Sequence, residues 1–127
     1  MRGLLDTSVF IAAEQGRELA RERLPDEAAI STITVAELEL GVHLARSEQA
    51  RGQRLRTLHS IQATYVALPV DEPVASAFAE LVAIARQAGK RPKVQDAWIA
   101  ATARAHAVPV YSQDADFDAL AVEVVRV

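Results

Sequence analysis

The chain is 127 residues long, half of them hydrophobic, and it contains no cysteine. That length suits one domain with one core over residues 1–127, and the missing thiols exclude a disulfide framework and any thiolate metal site. The formal charge of -3, from 17 acids and 14 bases, argues at face value against a nucleic-acid partner. An acid at position 6 interrupts the apolar run that a signal peptide requires. No apolar stretch approaches the length of a membrane span. A small domain without disulfides fits a reducing compartment, so a cytoplasmic protein with no membrane partner is expected.

In chain order, Gly3 to Asp6 reads as a short buried strand and Thr7 to Gln15 as a helix with Val9, Phe10, Ala12 and Ala13 on one face. A polar helix is predicted from Arg17 to Leu24, ended by Pro25. Ala28 to Ser31 is a second strand, followed by helices over Thr34 to Ala45 and Glu48 to Tyr65. Val66 to Val70 is a third strand. Pro73 opens an Ala-rich helix to Ala88, capped by Asp71 and Glu72 and closed by Gly89. A basic loop, Lys90 to Lys93, precedes a helix over Gln95 to Ala107. Val108 to Tyr111 is a strand, Asp114 to Leu120 a short turn or helix, and Val122 to Val127 a last strand.

Strands that alternate with helices require crossover connections and a parallel sheet. The strands are short and apolar, as expected when both sheet faces are covered. The reading is a single three-layer α/β domain with a parallel sheet of about five strands flanked by helices. Ligands in such sheets sit at the carboxyl ends of the strands, near the switch point in strand order.

Four acids fall on that edge. Asp6 and Asp114 lie at or just past strand ends, and Glu37 and Asp96 in the first turns of helices that follow. Each has an ordinary structural explanation. Asp6 suits an N-cap. Thr34-Val35-Ala36-Glu37 reads as a capping box. Asp96 complements a helix dipole, and Asp114 suits a turn cap. Together they are a different matter, because gathered carboxylates repel unless a cation or protons compensate. Carboxylate oxygens with water are what Mg²⁺ or Mn²⁺ prefer. One or two such ions suit phosphodiester hydrolysis by a metal-activated water. The sequence has no Cys, no Ser in a G-x-S-x-G turn, no Walker loop and no G-x-G-x-x-G.

The charge distribution also readmits RNA. Setting aside Asp6, Glu37, Asp96, Asp114 and Asp116 as metal-bound leaves 12 acids against 14 bases, and 12 of those bases are Arg. Lys90, Arg91 and Lys93 lie just before Asp96 and are candidates for phosphate contact. Arg46, Arg51, Arg54 and Arg56 share no single helical face and read as a solvated helix surface. His43, His59 and His106 lack metal-ligand spacing and read as structural or surface residues. Trp98 lies on a different helix face from Asp96 and reads as core, as do Phe78, Leu81, Val82 and Ala85 by their helical spacing.

Four blocks carry a family resemblance. Leu4-Leu5-Asp6-Thr7-Ser8-Val9 resembles the opening of PIN-domain ribonucleases, and Ser31-Thr32-Ile33-Thr34-Val35-Ala36-Glu37-Leu38, with Gly41 after it, their second block. Asp96-Ala97-Trp98-Ile99-Ala100-Ala101-Thr102-Ala103 resembles the third and Ser112-Gln113-Asp114-Ala115-Asp116-Phe117 the fourth. Order, spacing and length agree over nearly the whole chain, in particular with VapC-type toxins of bacterial toxin–antitoxin pairs. The resemblance implies a PIN-like fold and a Mg²⁺- or Mn²⁺-dependent endoribonuclease, homodimeric and neutralised by a small cognate antitoxin. It implies Asp6, Glu37, Asp96 and Asp114 as the acidic quartet, with Asp116 as an additional acid for a second ion. Ser8 matches a hydroxyl position that orients a ligand or water. Ser112 stands where the family often has Thr. In a complex, the expectation is a basic antitoxin side chain pointing into the acidic pocket.

Two other classes remain open at this point. A phosphatase of the haloacid-dehalogenase type or a receiver domain also carries an Asp at the first strand end. The phosphatase would want an acid where Ser8 stands and the receiver one where Thr7 stands; both need a Lys late in the chain, and the only lysines are Lys90 and Lys93. A non-catalytic metal-binding interaction module is the other alternative.

Overall fold

The computed structural model describes every residue, 1–127. Five strands, β1 (Arg2–Leu5), β2 (Glu27–Ser31), β3 (Ala67–Leu68), β4 (Val110–Ser112) and β5 (Val124–Arg126), form one sheet in the order β3-β2-β1-β4-β5. Every pairing is parallel. Five helices accompany them: α1 (Thr7–Glu14), α2 (Thr32–His43), α3 (Glu48–Thr64), α4 (Glu72–Gln87) and α5 (Val94–Ala105).

Successive side chains on a strand point to opposite faces, and this divides the core in two. Leu4 and Val110 join Val74 and Leu81 of α4 and Ile99 of α5 on one face. Leu5 and Tyr111 join Val9 and Phe10 of α1, Leu38 of α2 and Ile61 of α3 on the other. The pairing of Leu4 with Val110 and Leu5 with Tyr111 keeps both sets in register. The result is the expected three layers. Each fully buried Leu or Ile here contributes about 1.5–3 kcal/mol through removal of apolar surface from water. Trp98 packs as expected, its ring stacked on Phe78 with centroids 3.8 Å apart and planes 14° from parallel.

Several predicted boundaries move, each for a local reason. The predicted helix Arg17 to Leu24 is only a 3₁₀ turn over Arg21–Arg23, because Leu19 and Leu24, which pack against the core, are not at the spacing of one helical face and a short helix without such a stripe is not stable in water. β3 is two residues long, since Pro69 has no N–H to continue the ladder. Helix α2 begins two residues early, at Thr32, where the Ser31 hydroxyl accepts from Ile33 N–H at 3.0 Å. The expected capping box of Thr34 with Glu37 therefore does not form, and Glu37 lies in the second helical turn rather than the first. His106 is the residue just past α5, not inside it. Asp71 caps α4 as expected, accepting from Val74 N–H at 3.2 Å.

The chain builds β1, β2 and β3 in one direction, then returns to the other side of β1 to lay down β4 and β5. The switch point lies between β1 and β4, and ligands of open α/β sheets bind outside the carboxyl ends at such a point. A receiver domain would show the order 2-1-3-4-5, which this sheet does not have.

Candidate active site

Asp6 follows β1 directly and is the N-cap of α1, accepting from Ser8 N–H at 3.3 Å. Ser112, the last residue of β4, donates its hydroxyl to the same Asp6 Oδ2 at 3.0 Å. The Ser112 proton being committed there, Ser8 Oγ donates to Ser112 Oγ at 3.2 Å and accepts from Gln113 N–H at 3.0 Å. A chain of hydrogen bonds thus runs from the backbone after β4 through two buried hydroxyls to Asp6. Ser112 Oγ also accepts from Asp114 N–H at 3.0 Å, so the same hydroxyl fixes the backbone that carries Asp114. Both serines are turned inward to hold Asp6 and the segment after β4.

Glu37 enters from α2. Its Oε1 accepts from the Thr7 hydroxyl at 2.7 Å, and Thr7 Oγ1 lies 3.0 Å from Thr34 Oγ1. Thr34 lies inside α2, fully buried, with its hydroxyl hydrogen-bonded to that of Thr7, so it does not act as a cap. It sits three residues before Glu37, on the same helix face, and braces the side chain that orients it. From sequence, Thr34 reads only as a capping residue and Thr7 only as the position where a receiver domain would carry an acid; neither is a candidate site residue there. The signal available was a β-branched hydroxyl at helical spacing from an acid.

Asp96 is in the first turn of α5. Its Oδ2 is buried and has no hydrogen-bond partner. Burial, then the charges of Asp6, Asp116 and Glu37, push its carboxyl up to about 6, with Lys93 the only opposing influence. Burial is also the first cause raising Asp6, partly offset by its hydrogen bonds from Ser8 and Ser112. Burial raises Glu37 too, against the Thr7 bond, with Asp6 adding repulsion. Asp114 and Asp116 are exposed at the mouth. Asp116 Oδ2 accepts from Lys93 Nζ at 3.2 Å, and that bond raises the lysine and holds it charged.

All five acids line one polar cleft of about 250 Å³, together with Thr7, Ser8, Ile11, Arg17, Lys93 and Gln95. A larger groove of about 450 Å³ between α1 and α3 contains only one carboxylate, Glu14, and is not where the chemistry gathers. Of the basic loop, Lys93 reaches the cleft while Lys90 and Arg91 do not. Nor do Arg46, Arg51, Arg54 and Arg56. Arg54 instead donates to the Gly41 carbonyl at 2.7 Å, pinning α3 to α2, and Arg51 pairs with Glu48 one helical turn away. Arg17 and Gln113 are further residues not singled out from sequence. Gln113 donates its side-chain amide to Glu18 O and Val127 O, both at 2.9 Å.

These residues fit a divalent cation. A buried carboxylate oxygen without a partner costs about 1–3 kcal/mol or more for a charged group, and one close cation would satisfy it and relieve the repulsion. No three of the acids are closed into a preformed ligand cage. Mg²⁺ does not need one, because it keeps several waters and is held through one or two carboxylates.

Comparison with known proteins agrees with this architecture. The family model for the PIN domain matches residues 3–123. Ribonuclease VapC5 of Mycobacterium tuberculosis is 46% identical over 129 aligned residues, which cover 98% of this chain and 95% of that protein. Toxin FitB of Neisseria gonorrhoeae is 36% identical over 87% of this chain and 86% of that protein. Among solved structures, VapBC-5 from M. tuberculosis, a member of the VapBC family of toxin–antitoxin systems, superposes with a TM-score of 0.91 at 42% identity, covering 99% of this chain and 98% of that one. FitAcB from N. gonorrhoeae superposes with a TM-score of 0.80 at 36% identity, covering 99% and 97%. With a domain model over nearly its full length and relatives of this identity, the chain belongs to the PIN-domain family, in its VapC group.

Proposed function

We propose that this chain is a metal-dependent endoribonuclease toxin that hydrolyses RNA phosphodiester bonds and is neutralised by a cognate antitoxin. The observation that carries the reading is the unpartnered Asp96 Oδ2 in a cleft where Asp6, Glu37, Asp114 and Asp116 converge. Asp6, Glu37, Asp96 and Asp114 would hold the first Mg²⁺ or Mn²⁺, and Asp116 would help to hold a second. When bound, the ions supply a water of lowered pKa and stabilise charge on the leaving oxygen.

The chain's own groups prepare that chemistry. Ser112 and Ser8 keep Asp6 in place and Thr7 keeps Glu37 aimed into the cleft. Such supporting bonds fix ligand orientation and tune affinity. Lys93 lowers the repulsion among the acids and lines the cleft a phosphate would enter. We assign Ser8 and Ser112 to positioning Asp6, and Lys93, rather than Lys90 or Arg91, to substrate contact.

The antitoxin reading rests on the shape beside the cleft. A second groove, lined by Ile11, Glu14, Leu38, Gly41 and Arg54, shares Ile11 and Glu37 with the cleft. A segment laid in it would deliver a basic side chain into the acids. A homodimer acting in the cytoplasm completes the proposal; no helix is long and apolar enough to cross a membrane. The test is RNA cleavage by the partner-free protein with Mg²⁺, with Mn²⁺ and with chelator, beside Asp96→Asn. Cleavage by wild type that stops in chelator and in the variant is expected. Equal inactivity of both on a broad RNA panel would end the reading.

A further inference from the structure

Arg17 is the one arginine that lines the acidic cleft, yet no carboxylate lies within ion-pairing distance of it. The six ion pairs of the chain use other cations. Lys93, by contrast, is bound to Asp116. The cation felt by Glu37 and Asp96 is likewise Lys93. Arg17 therefore stands at the cleft rim with its guanidinium uncommitted.

Its backbone is held firmly. Helix α1 ends in Gly16 at φ +70°, a left-handed conformation that costs glycine little. Gly16 N–H donates to Ala13 O at 3.2 Å and Arg17 N–H to Ala12 O at 2.8 Å, the paired bonds of a Schellman cap. One residue on, Glu18 O accepts from the Gln113 side chain at 2.9 Å. Arg17 is thus fixed between a helix cap and the segment that carries Asp114.

Charge balance says what such a residue is for. At neutral pH the five acids exceed Lys93 by four charges, which two divalent ions would neutralise. A phosphodiester entering that neutral site brings one further negative charge. An uncommitted guanidinium matches it in sign and, through its planar fork, in geometry. Resting on the nuclease reading above, we propose that Arg17 is a substrate-binding residue that grips an RNA phosphate at the rim of the metal centre.

The experiment compares wild type, Arg17→Ala, Arg17→Lys and, as a control away from the cleft, Arg86→Ala. Binding of a short fluorescein-labelled single-stranded RNA is followed by anisotropy in Ca²⁺ over a salt series, and cleavage is followed in Mn²⁺. Arg17→Ala is expected to bind about tenfold more weakly, with the slope of log affinity against log salt reduced by about 0.7, the value for one single-strand phosphate contact. Arg17→Lys should keep the slope and recover only part of the affinity. Mn²⁺ affinity by calorimetry and thermal unfolding should be unchanged in Arg17→Ala, because the cap depends on Gly16 and on backbone groups. If wild type binds and cleaves RNA while Arg17→Ala matches it in affinity and slope, the role of Arg17 is overturned and the nuclease reading stands. If wild type neither binds nor cleaves, both fall together.

Discussion

In Asp96 a buried carboxylate oxygen lacks a partner while the carboxyl group is held up to about 6 by burial and by three neighbouring acids. The folded value exceeds the ordinary 3.8, so between about pH 4 and pH 6 the folded metal-free protein binds the extra proton. Its stability must then fall as pH rises through that window. Asp96 is only half-buried, so solvent screening reduces the effect to about 1 kcal/mol. Thermal unfolding in chelator should show a midpoint lower by about 3 °C at pH 7 than at pH 4.5 from this group, and Asp96→Asn should shrink the drop. Asp6 and Glu37 are raised in the same direction, so some slope should persist in the variant. Thr7 permits a second prediction. Thr7→Val removes the hydroxyl that holds Glu37 and should weaken Mn²⁺ binding about tenfold, as loss of a supporting hydrogen bond does. Thr7→Ser should recover most of it. Equal affinity in all three proteins would show that the 2.7 Å bond does not position the ligand.

Among the elements, helix ends were the least legible feature. The run Ser31-Thr32-Ile33-Thr34 offers three hydroxyls, and the capping-box rule favours Thr34 because Glu37 follows it at the right spacing. Tertiary demand decided otherwise: Thr34 is fully buried against Thr7 and the cap passes to Ser31. The polar stretch after Gly16 carries enough helix-favouring residues to suggest a helix, but Leu19 and Leu24, which pack against the core, are five residues apart and off one helical face, and only a 3₁₀ turn survives. Gly16 is the point at which α1 must stop. Gly16→Ala should cost about 1 kcal/mol in denaturant unfolding, from the left-handed backbone alone. A variant as stable as wild type would show that the cap does not constrain the segment carrying Arg17.

For the molecule as a whole, alternation of apolar strands with helices made the α/β class and the parallel sheet readable, because periodicity records which faces are buried. The placement of the four acids on one edge followed from that class. Lateral strand order is not written in local periodicity, and neither is a contact such as Gln113 with Glu18, which closes 95 residues of chain. Arg17 was invisible for that reason. The hydroxyl network was half visible: Ser8 and Ser112 stood out as positions, but that they hold Asp6 depends on how β1 and β4 pair. The assembled cleft also sets a pH limit. With Asp96 as a ligand in the proposed metal site, metal would have to displace its proton, so Mn²⁺ affinity should fall about tenfold per pH unit below about 6, and cleavage with it. A flat affinity between pH 5 and pH 7 would remove Asp96 from the ligand set. The most direct measurement is calorimetric titration of Mn²⁺ into the partner-free protein at pH 7.5, beside Asp96→Asn. Saturable binding by wild type that disappears in the variant is the predicted result; no binding by wild type, or the same isotherm from both, would contradict the metal centre.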